Sequence, residues 1–453
     1  MKYSNTKKTN STLNKIKEFK YLDILKSKNI TPFFELHSSP NHRERIFTPT
    51  ISLSLFLKQA LSLDRSCSNA VNNFIIDNIK SIPKNISNST GSFCRSRNKI
   101  PLDLIKQLTQ FTSQEVKNNL VKDFDIQGNI YLIDGTTFSM PDTEANQKEY
   151  PQQKTQGEGL GFPICRAVGV FCLESGVAIN AELAPYKGKE ASEHHILRKL
   201  LGTFDKGDLI VGDALYSSFW LIEHFQRNGI DFVFQQNGAR SKKTDFRLGE
   251  KLARHDHIVE YKKPEKPHWM LEEDYVAIPK KISVRELKVN HKILVTSLDD
   301  HVKFPALTVN DIYKSRWNIE LDFRNLKTTM SLSKLSCKSP KMCEKEIWIY
   351  LLANNLIRIL MMQASINFKI KPRSISFKCT LQIWNKVLES FKNPLEAIED
   401  FLFLMTGVLV GNRPGRVEPR ARKRRASAYS LLMVPRHMAQ ANIRKNGHPK
   451  KTK

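Results

Sequence analysis

Two short apolar runs, each ending in an aspartate, constrain the fold of this chain more than any other feature. They occupy residues 130–134 and 209–213 and end in Asp134 and Asp213. A continuous apolar run of this length is typical of a strand that is buried on both faces of a sheet. The sequence therefore predicts two buried strands that each carry an acid at the carboxyl end.

The segments around these strands predict the fold class. Strand-like runs at 163–173 and 177–184 are joined by a tight Glu174-Ser175-Gly176 turn. Helix and strand patterns then alternate over 191–201, 209–212, 216–227 and 231–235. The order β, β, β, α, β, α, β is that of an α/β, ribonuclease H-like mixed sheet, in which the first and fourth strands are parallel neighbours. Asp134 and Asp213 are therefore expected side by side at one end of the sheet.

A polar stripe marks a helix that is predicted to begin at Val309. At about 100° per residue its four members lie within an arc roughly 60° wide. An apolar face lies beside them, so the helix should pack on the sheet and present the stripe at its edge. The alternative is an ordinary solvated amphipathic helix. The stripe consists of Tyr313, Arg316, Glu320 and Lys327, and the apolar face of Ile312, Ile319, Phe323, Leu326 and Met330.

The charge balance indicates a polyanionic partner. Lys and Arg number 72 against 45 Asp and Glu, a formal net charge of +27 over 453 residues. Neutralising phosphates and releasing their counterions gives affinity that is independent of sequence. A basic structural protein is the alternative, and the long chain with its aromatic-rich core disfavours it. The length allows two or three domains.

Cysteine usage and hydropathy favour a cytosolic protein. The seven cysteines are scattered, form no CxxC pair and fit no zinc spacing. The N-terminus lacks the apolar run of a signal peptide. The most apolar helix, at 347–362, is interrupted by Asn354, Asn355 and Arg358 and is expected to be too short and too polar to span a bilayer. We therefore expect a soluble, cytoplasmic protein without a membrane partner.

Three carboxylates on separate elements match the chemistry of phosphodiester cleavage and transfer. Two Mg²⁺ ions about 4 Å apart can activate the attacking oxygen and stabilise the leaving one. Such ions prefer carboxylate oxygens, and Mn²⁺ accepts the same ligands. Asp134, Asp213 and Glu320 meet this need if the fold is right. Each alone has an ordinary explanation, as a turn residue before glycine or a solvated helix residue.

The other stripe members suit contacts to a phosphate backbone. Arg316 can make a bidentate contact, Lys327 can supply a point charge, and Tyr313 can donate a hydrogen bond. Together with the carboxylates they indicate a metal-dependent enzyme of DNA strand transfer.

The chain resembles cut-and-paste bacterial insertion-sequence transposases of the DDE class, in the group with a Tyr-Arg-Glu-Lys signature. That signature (Tyr, two residues, Arg, three, Glu, six, Lys) is met without a gap from Tyr313 to Lys327. Asp134-Gly135-Thr136, with Pro141-Asp142 downstream, resembles the first-aspartate motif. Residues 212–216, Gly-Asp-Ala-Leu-Tyr, followed by residues 229–234, resemble the second-aspartate motif. The resemblance covers residues 45–435.

This resemblance implies a set of partners. It implies binding of the terminal inverted repeats, excision through a hairpin on the element's end, and insertion into target DNA by a homodimer in a synaptic complex. It also implies that the insertion between the second aspartate and the glutamate is β-rich and helps to open the DNA end. A nuclease or junction resolvase without strand transfer, and a catalytically retired DNA-binding derivative, remain alternatives.

Composition shifts predict the domain organisation. The helical domain is expected to recognise DNA ends, with Arg95, Arg97 and Lys99 after its Asn/Ser loop. The C-terminal tail holds 13 Lys/Arg against one Glu, densest at 420–425, and is a candidate for loose DNA contact. The predicted units are a basic, loosely ordered segment (1–45), the helical domain (46–120), a catalytic domain (125–343) with an insertion (237–290), a helical region (344–411) and the tail (412–453).

Three weaker candidates stay open. The pairs His194-His195 and His255-x-His257 could ligate a metal, although a helix start and a solvated loop explain them too. Trp269 in the insertion could stack on an unpaired base or serve as a buried tryptophan of a β-domain.

Overall fold

The computed structural model describes Pro32 and residues 46–80, 87–117, 122–153, 157, 159–188, 190–390, 397–411 and 434–447. The predicted loose order of residues 1–45 lies outside these residues, Pro32 excepted, and so does the arginine-rich part of the tail at 420–425.

A nine-stranded mixed sheet forms the centre of the molecule, in the order β3-β2-β1-β4-β5-β9-β8-β7-β6. β1 and β5 pair in parallel with β4, and the other pairs are antiparallel. The prediction of a mixed α/β fold is confirmed, and the sheet fits a ribonuclease H-like transposase. The strands are β1 Ile130–Ser139, β2 Ile164–Cys172, β3 Ala178–Pro185, β4 Leu209–Gly212, β5 Asp231–Gln235, β6 Glu250–Ala253, β7 Asp256–Lys262, β8 Lys281–Val289 and β9 Lys292–Thr296.

β1 is longer than its apolar run predicts. The strand was expected to end at Asp134, but its antiparallel pairing with β2 continues to Ser139 opposite Ile164. The pairing with β4 stops earlier, at Leu132 opposite Val211. Between that point and Ser139, which bridges to Lys334, β1 pairs with a strand of the sheet on one side only, so polar residues are tolerated in it. Asp134 therefore lies within the strand and not at its end.

Helices cover the sheet and extend from both of its ends. The N-terminal helices α1 to α3 enclose a small cluster around Phe47, Leu55, Ala70, Val71 and Phe93, whereas α4 packs into the main core. The helices are α1 Pro49–Leu61, α2 Cys67–Asp77, α3 Gly91–Lys99, α4 Leu102–Lys117, α5 Glu144–Glu149, α6 Glu193–Arg198, α7 Phe219–Arg227, α8 Gly238–Ser241, α9 Glu272–Ala277, α10 Ala306–Ser315, α11 Trp317–Arg324, α12 Pro340–Phe368, α13 Phe377–Ser390, α14 Ile398–Thr406 and α15 Arg436–Asn446.

Arg97 departs from its expected place on a DNA-facing surface. Its side chain is buried, lies over the ring of Phe56 at 4.6 Å and donates to Gln59 Oε1 at 3.0 Å. A guanidinium in this position stabilises the helical core through cation–π contact. Arg95, by contrast, is exposed.

The long helix α12 joins the sheet to the helices on either side of it. It spans 29 residues, against the 16 or so of its predicted apolar run, and by length and composition it could cross a membrane. The expectation that it is too short is therefore wrong. In this structure 94% of its apolar window is buried inside the protein. Asn355 bonds both the N–H and the C=O of Ala178 in β3, at 2.7 and 2.8 Å, and the carbonyl of Thr109 in α4. Asn355, one of the polar interruptions of this helix, thus satisfies backbone groups in the core.

The predicted insertion extends the central sheet. β6, β7 and β8, which lie within residues 237–290, continue it beyond β9. Arg285 forms a buried ion pair with Asp256 at 2.5 Å and donates to two backbone carbonyls. Glu286, also buried, accepts hydrogen bonds from Gln236 and Tyr261, both at 2.6 Å. The hydrogen bond from Gln236 ties the insertion to the end of β5.

Candidate active site

The register of β1 and β4 brings Asp134 and Asp213 together. Leu132 pairs with Val211, and β4 ends one residue later at Gly212. Continued by two residues, this register sets Asp134 opposite Asp213 at the edge of the sheet. Asp213 then begins a 3₁₀ turn, where its Oδ1 accepts from the N–H of Leu215 at 2.8 Å. The two predicted acids are thus neighbours at the carboxyl end of β4.

Arg316 connects Glu320 to this pair. Its Nη2 donates to Glu320 Oε1 at 3.0 Å, and its Nη1 donates to Asp134 Oδ2 at 3.4 Å. The guanidinium therefore lies between the first aspartate and the glutamate. The sequence assigned Arg316 to phosphate, whereas the structure pairs it with two carboxylates. Its pKa is raised: burial alone would lower it, but the hydrogen bond to Glu320 and the nearby negative charges outweigh that effect.

The predicted stripe is not one regular helix. α10 ends at Ser315, Ile319 N–H bonds the carbonyl of Arg316 three residues back, and a π-helical turn spans Asn325–Thr329. A uniform rotation of about 100° per residue therefore does not hold along the segment. The apolar face is as predicted, since Ile312, Ile319 and Leu326 are buried.

Tyr313 and Lys327 end up in different surroundings from those expected. Tyr313 is buried, and its hydroxyl donates to Gln235 Oε1 at the end of β5, at 3.0 Å. Burial raises its pKa. Lys327 lies on the π-helical turn with its ammonium 5.2 Å from the ring centre of Phe138 in β1. Tyr313 thus fixes α10 to the sheet, and Lys327 lies beside the extension of β1.

Sequence reasoning missed a fourth carboxylate, that of Glu193. It is the first residue of α6, whose preceding Ser192 accepts from the N–H of His195 at 3.2 Å. The carboxyl group lies against Gly135, where a Cβ would overlap it, and Oε2 accepts from the hydroxyl of Tyr216 at 3.3 Å. No pattern signals this role, because an acid in the first turn of a helix is favoured by the helix dipole alone.

Negative charge exceeds positive charge at this edge of the sheet. Burial raises the pKa of Asp134 to about 6; the charges of Asp213 and Glu193 add to the rise, and the Gly135 N–H and Arg316 oppose it. Burial also raises the pKa of Glu193, against the effects of Arg166 and the Tyr216 hydroxyl. An acidic group with a raised pKa next to other acids is typical of functional sites. The site can therefore attract a cation.

The arrangement fits a divalent cation at Asp134 and Asp213 more directly than at Glu320. Carboxylate oxygens from adjacent strands are the donors that Mg²⁺ prefers. Within the described part of the chain, however, no three Asp, Glu, His or Cys side chains lie close enough to hold one metal ion. The guanidinium of Arg316 lies where Glu320 would have to meet Asp134.

The two histidine pairs have partners of other kinds. His257 is buried, and its ring nitrogens contact the carbonyl of Leu248 at 2.7 Å and Glu286 Oε2 at 3.2 Å. The ring of His195 contacts the guanidinium of Arg198 at 3.1 Å. The helix start expected for His194-His195 is confirmed. The solvated loop expected for the second pair is wrong for His257, which is buried in β7.

Trp269 lies against a cationic side chain. The guanidinium of Arg198 is 3.9 Å from the centre of its ring, and the edge of Trp220 approaches it at 6.3 Å. The indole is 39% exposed. One ring face is thus covered, which favours a structural role for this tryptophan in joining α6 and α7 to the insertion.

A comparison with known families identifies the site's context. A profile described as the transposase DDE domain matches residues 126–356, just over half of the chain. The chain belongs to this family. The matched region begins before β1 and ends within α12, so it contains Asp134, Asp213 and Glu320.

Relatives from insertion sequences agree with the family. The transposase InsG for insertion sequence element IS4 of Escherichia coli (strain K12) is 27% identical over 315 residues, covering 66% of this chain and 69% of the relative. The putative transposase InsL for element IS186A of the same strain, and the transposase for element IS421 of Escherichia coli, are each 39% identical over 84 residues. Those matches cover 18% of this chain and 22% of each relative. The protein is thus a DNA transposase of the insertion-sequence DDE type, a function that implies DNA cleavage and strand transfer.

Proposed function

We propose that Asp134, Asp213 and Glu320 are the catalytic carboxylates of a cut-and-paste transposase. One observation carries this proposal. The strand register places Asp134 beside Asp213, and Arg316 links Asp134 to Glu320 through contacts of 3.4 and 3.0 Å. Three acids from separate elements thereby converge on one sheet edge inside the family's matched region.

The proposed cofactor is a pair of divalent cations, Mg²⁺ or Mn²⁺. When bound, they would activate the attacking oxygen and stabilise the leaving oxygen of the phosphodiester. Asp134 and Asp213 would hold them through oxygens supplied by neighbouring strands. Glu320 would join by giving up its contact with Arg316, whose side chain is 18% exposed. The released guanidinium would then make a bidentate contact to a DNA phosphate.

We further propose that the chain belongs to the Tyr-Arg-Glu-Lys group. Its spacing from Tyr313 to Lys327 supports this assignment. Lys327 would contact the DNA backbone as a point charge beside β1. Tyr313, being buried on Gln235, would act by holding α10 in place, in contrast to the direct phosphate contact expected from the stripe.

A basic surface at the outer edge of the insertion supports a DNA path. It surrounds a hollow on the outer part of the insertion and begins a few residues after β5, whose end also holds Tyr313. Its cations would contact phosphates independently of sequence. We name this surface the insertion hollow, and its basic residues are Lys242, Lys243, Arg247, Lys251, Arg254 and His255.

End recognition is assigned to the helical domain at 46–120, and assembly to a homodimer that pairs two inverted repeats and captures target DNA. Exposed Arg95 and Lys99 on α3 support a nucleic-acid role for this domain. The small cluster of α1 to α3 holds α3 in place, while α4 connects this domain to the core of the sheet.

The test is a cleavage assay in Mg²⁺ on DNA that carries the inverted repeats flanking the gene. Hairpin-ended products followed by joining to a target are expected. Nicks without strand transfer would favour a nuclease or resolvase. Binding without cleavage would favour a retired derivative. Asp311→Asn is the matched control, because Asp311 is an exposed acid on α10 that pairs with Lys314 at 2.9 Å, away from the site.

A further inference from the structure

We propose that Cys67 and Cys94 form a modification site, at which a peroxide joins the two thiols in a reversible disulfide within the native fold. Cys67 is the first residue of α2, and Cys94 lies on α3. Both belong to the N-terminal helical domain, and the proposed catalytic centre uses neither of them. The site is therefore independent of the catalytic assignment.

The two thiols are neighbours in the folded protein. The side chain of Cys94 lies within hydrogen-bonding reach of the side chain of Cys67. Both cysteines are partly exposed, whereas four of the other five are buried. The fifth, Cys379, is also partly exposed but lies on α13, outside the N-terminal domain. Partial exposure and a second thiol at hand distinguish this pair from the other cysteines of the chain.

A connected set of contacts holds the two cysteines in this position. The amide of Gln59 on α1 donates from Nε2 to the Sγ of Cys67 at 3.7 Å. Its Oε1 accepts from Nη1 of Arg97 at 3.0 Å. Arg97 follows Cys94 by one turn of α3, and its guanidinium is fixed over the ring of Phe56 at 4.6 Å. The buried amide thus links the turn that carries Cys94 to the thiol of Cys67.

The packing of α2 against α3 keeps this arrangement. The ring of Phe47 contacts Phe74 of α2 at 5.5 Å and Phe93 of α3 at 5.9 Å. Cys67 packs against the same apolar cluster, and Phe93 directly precedes Cys94. A disulfide tolerates little variation in the distance between its two residues. Helices that share one cluster keep that distance constant.

A cavity gives an oxidant access to one of the two thiols. It has a volume of about 330 Å³ and is lined by Cys67 together with residues of α1, α3 and α12. A cavity of this size accepts molecules of the dimensions of water or hydrogen peroxide. Cys67 therefore meets the oxidant first, and Cys94 is the residue that resolves the product. Burial, with the neighbouring Cys67, raises the pKa of Cys94, which suits a thiol that reacts second.

The reaction balances with hydrogen peroxide as the only other reactant. The Cys67 thiolate attacks one peroxide oxygen, so that an S–O bond forms and the O–O bond breaks; the released hydroxide takes up the proton that the thiol lost. The sulfur of Cys94 then attacks the sulfenic sulfur of Cys67. The S–S bond forms, the S–O bond breaks, and hydroxide leaves as water with the proton of Cys94. Two thiols lose two electrons in total, and one peroxide is reduced to two waters. A small dithiol reverses the step by thiol–disulfide exchange.

The link would fasten the helix that carries two exposed basic residues of the domain. Arg95 and Lys99 lie on α3, on either side of the turn that follows Cys94. A disulfide between residues 67 and 94 restricts the unfolded chain between them and so stabilises the folded domain. Oxidation should therefore hold α3 on α2 more firmly and leave its position unchanged.

The experiment maps disulfides in the full-length wild type after exposure to hydrogen peroxide. Free thiols are blocked with iodoacetamide, and the digested protein is examined by mass spectrometry without reduction. We expect one linked pair of peptides, containing Cys67 and Cys94, that disappears after treatment with dithiothreitol. Cys379 should stay alkylated. The melting temperature of the oxidised protein should rise by about 2 °C or more and return on reduction.

Three variants separate the roles of the two thiols. Cys94→Ser removes the resolving thiol, so the sulfenic acid at Cys67 should persist and be trapped by dimedone. Cys67→Ser should give neither a link nor a trapped product at Cys94. Cys379→Ser is the matched control, because it removes the remaining partly exposed cysteine; its Cys67–Cys94 link should form as in the wild type.

Several outcomes would overturn the proposal. One is full alkylation of Cys67 and Cys94 under peroxide treatment that oxidises free cysteine. Another is a link from Cys67 to Cys337, which lines the same cavity. Equal loss of alkylation at Cys379 would show unselective oxidation. A Cys67–Cys94 link that lowers the melting temperature would show that it forms only in a distorted domain. The mapping is made on the wild type, so these outcomes do not depend on whether the serine variants fold.

Discussion

Glu320 and Asp322 are two acids on the same helix, two residues apart, and the structure treats them in opposite ways. Asp322 is wholly buried and is held by Arg358 at 2.6 Å and by Arg373 at 2.9 Å. Glu320 is partly exposed and shares the single guanidinium of Arg316 with Asp134. Asp322 thus pairs with two arginines, whereas Glu320 and Asp134 share one arginine.

The difference distinguishes Asp322, an acid that anchors its helix, from Glu320, an acid at the proposed reactive site. A buried carboxylate between two arginines has its charge fully compensated, and removing one partner leaves an uncompensated charge. Through Asp322 the helix α11 is fixed to α12 and to the segment before α13. At the catalytic edge several acids face one arginine, which favours the binding of a further cation. Excess negative charge, and not burial or helix position alone, distinguishes the proposed catalytic acid.

The largest expected effect follows from neutralising the proposed catalytic acids. Asp134→Asn, Asp213→Asn and Glu320→Gln should each lower cleavage by about 10³-fold or more, a loss of about 4 kcal/mol of transition-state stabilisation. Each change removes a cation-binding charge but keeps the shape, so the affinity for end DNA should stay within about tenfold. Cleavage rates in Mg²⁺ and gel-shift affinities measure the two quantities. Near-normal cleavage by any one variant would show that its residue is misassigned.

Neutralising Asp322, the anchoring acid, should have the reverse effect: a loss of stability with little change in cleavage. Asp322→Asn leaves Arg358 and Arg373 buried without their acid, and we expect the free energy of unfolding to fall by about 3–5 kcal/mol. Cleavage per folded molecule should change little at low temperature. Denaturant titration measures the first quantity, with Asp311→Asn as a control expected to change it by less than about 0.5 kcal/mol. A catalytic defect without destabilisation would break the distinction between the two acids.

The contrast between the two acids shows how far sequence reasoning reaches. The apolar runs before Asp134 and Asp213 predicted their strands, and the parallel order predicted that they would meet, because strand periodicity and topology are local or nearly local signals. The partners of Asp322 are 36 and 51 residues further along the chain. No spacing rule predicts such contacts, so the sequence singled out Glu320 by its stripe and gave no sign that Asp322 anchors the helix.

The misses have similar physical causes. The break in the helix at Arg316 and the inward turn of Tyr313 depend on where α10 meets β5, which a uniform helical rotation does not describe. Glu193 was missed because the glycine that admits it lies 58 positions earlier in the chain, on another element. Each miss is a contact between distant segments.

A pH titration of the metal-free protein should expose the cost of the uncompensated charge. The pKa of Asp134 is about 6 in the folded protein against an ordinary value of 3.8. Between these values the folded state binds more protons than the unfolded state, so the free energy of unfolding falls as pH rises from about 4 to about 6. The destabilisation is complete above that window and absent below it.

We expect Asp134→Asn in EDTA to be more stable than the wild type by about 1–2 kcal/mol at pH 7, and no more stable at pH 3.5. Denaturant titrations at several pH values measure this difference. Parallel stability curves for the two proteins would mean that Arg316 already compensates Asp134.

The smallest expected effect concerns the two arginines that face these acids, Arg316 and Arg358. Arg358→Lys should destabilise the protein, because burial already lowers the pKa of this guanidinium to about 10 and a lysine offers the buried acid a single point charge.

Arg316→Lys should leave the free energy of unfolding within about 1 kcal/mol, since the pair is partly solvated. A lysine cannot bridge Asp134 and Glu320 and then bind a phosphate with two bonds, so cleavage should fall only about three- to tenfold. That defect should shrink at low salt, where other basic residues hold the DNA more tightly. Cleavage and unfolding are measured for both variants at two salt concentrations. Normal cleavage by Arg316→Lys at about 0.15 M salt would mean that Arg316 serves as a structural partner of the carboxylates, like Arg358, and that the contrast at this edge is carried by the acids alone.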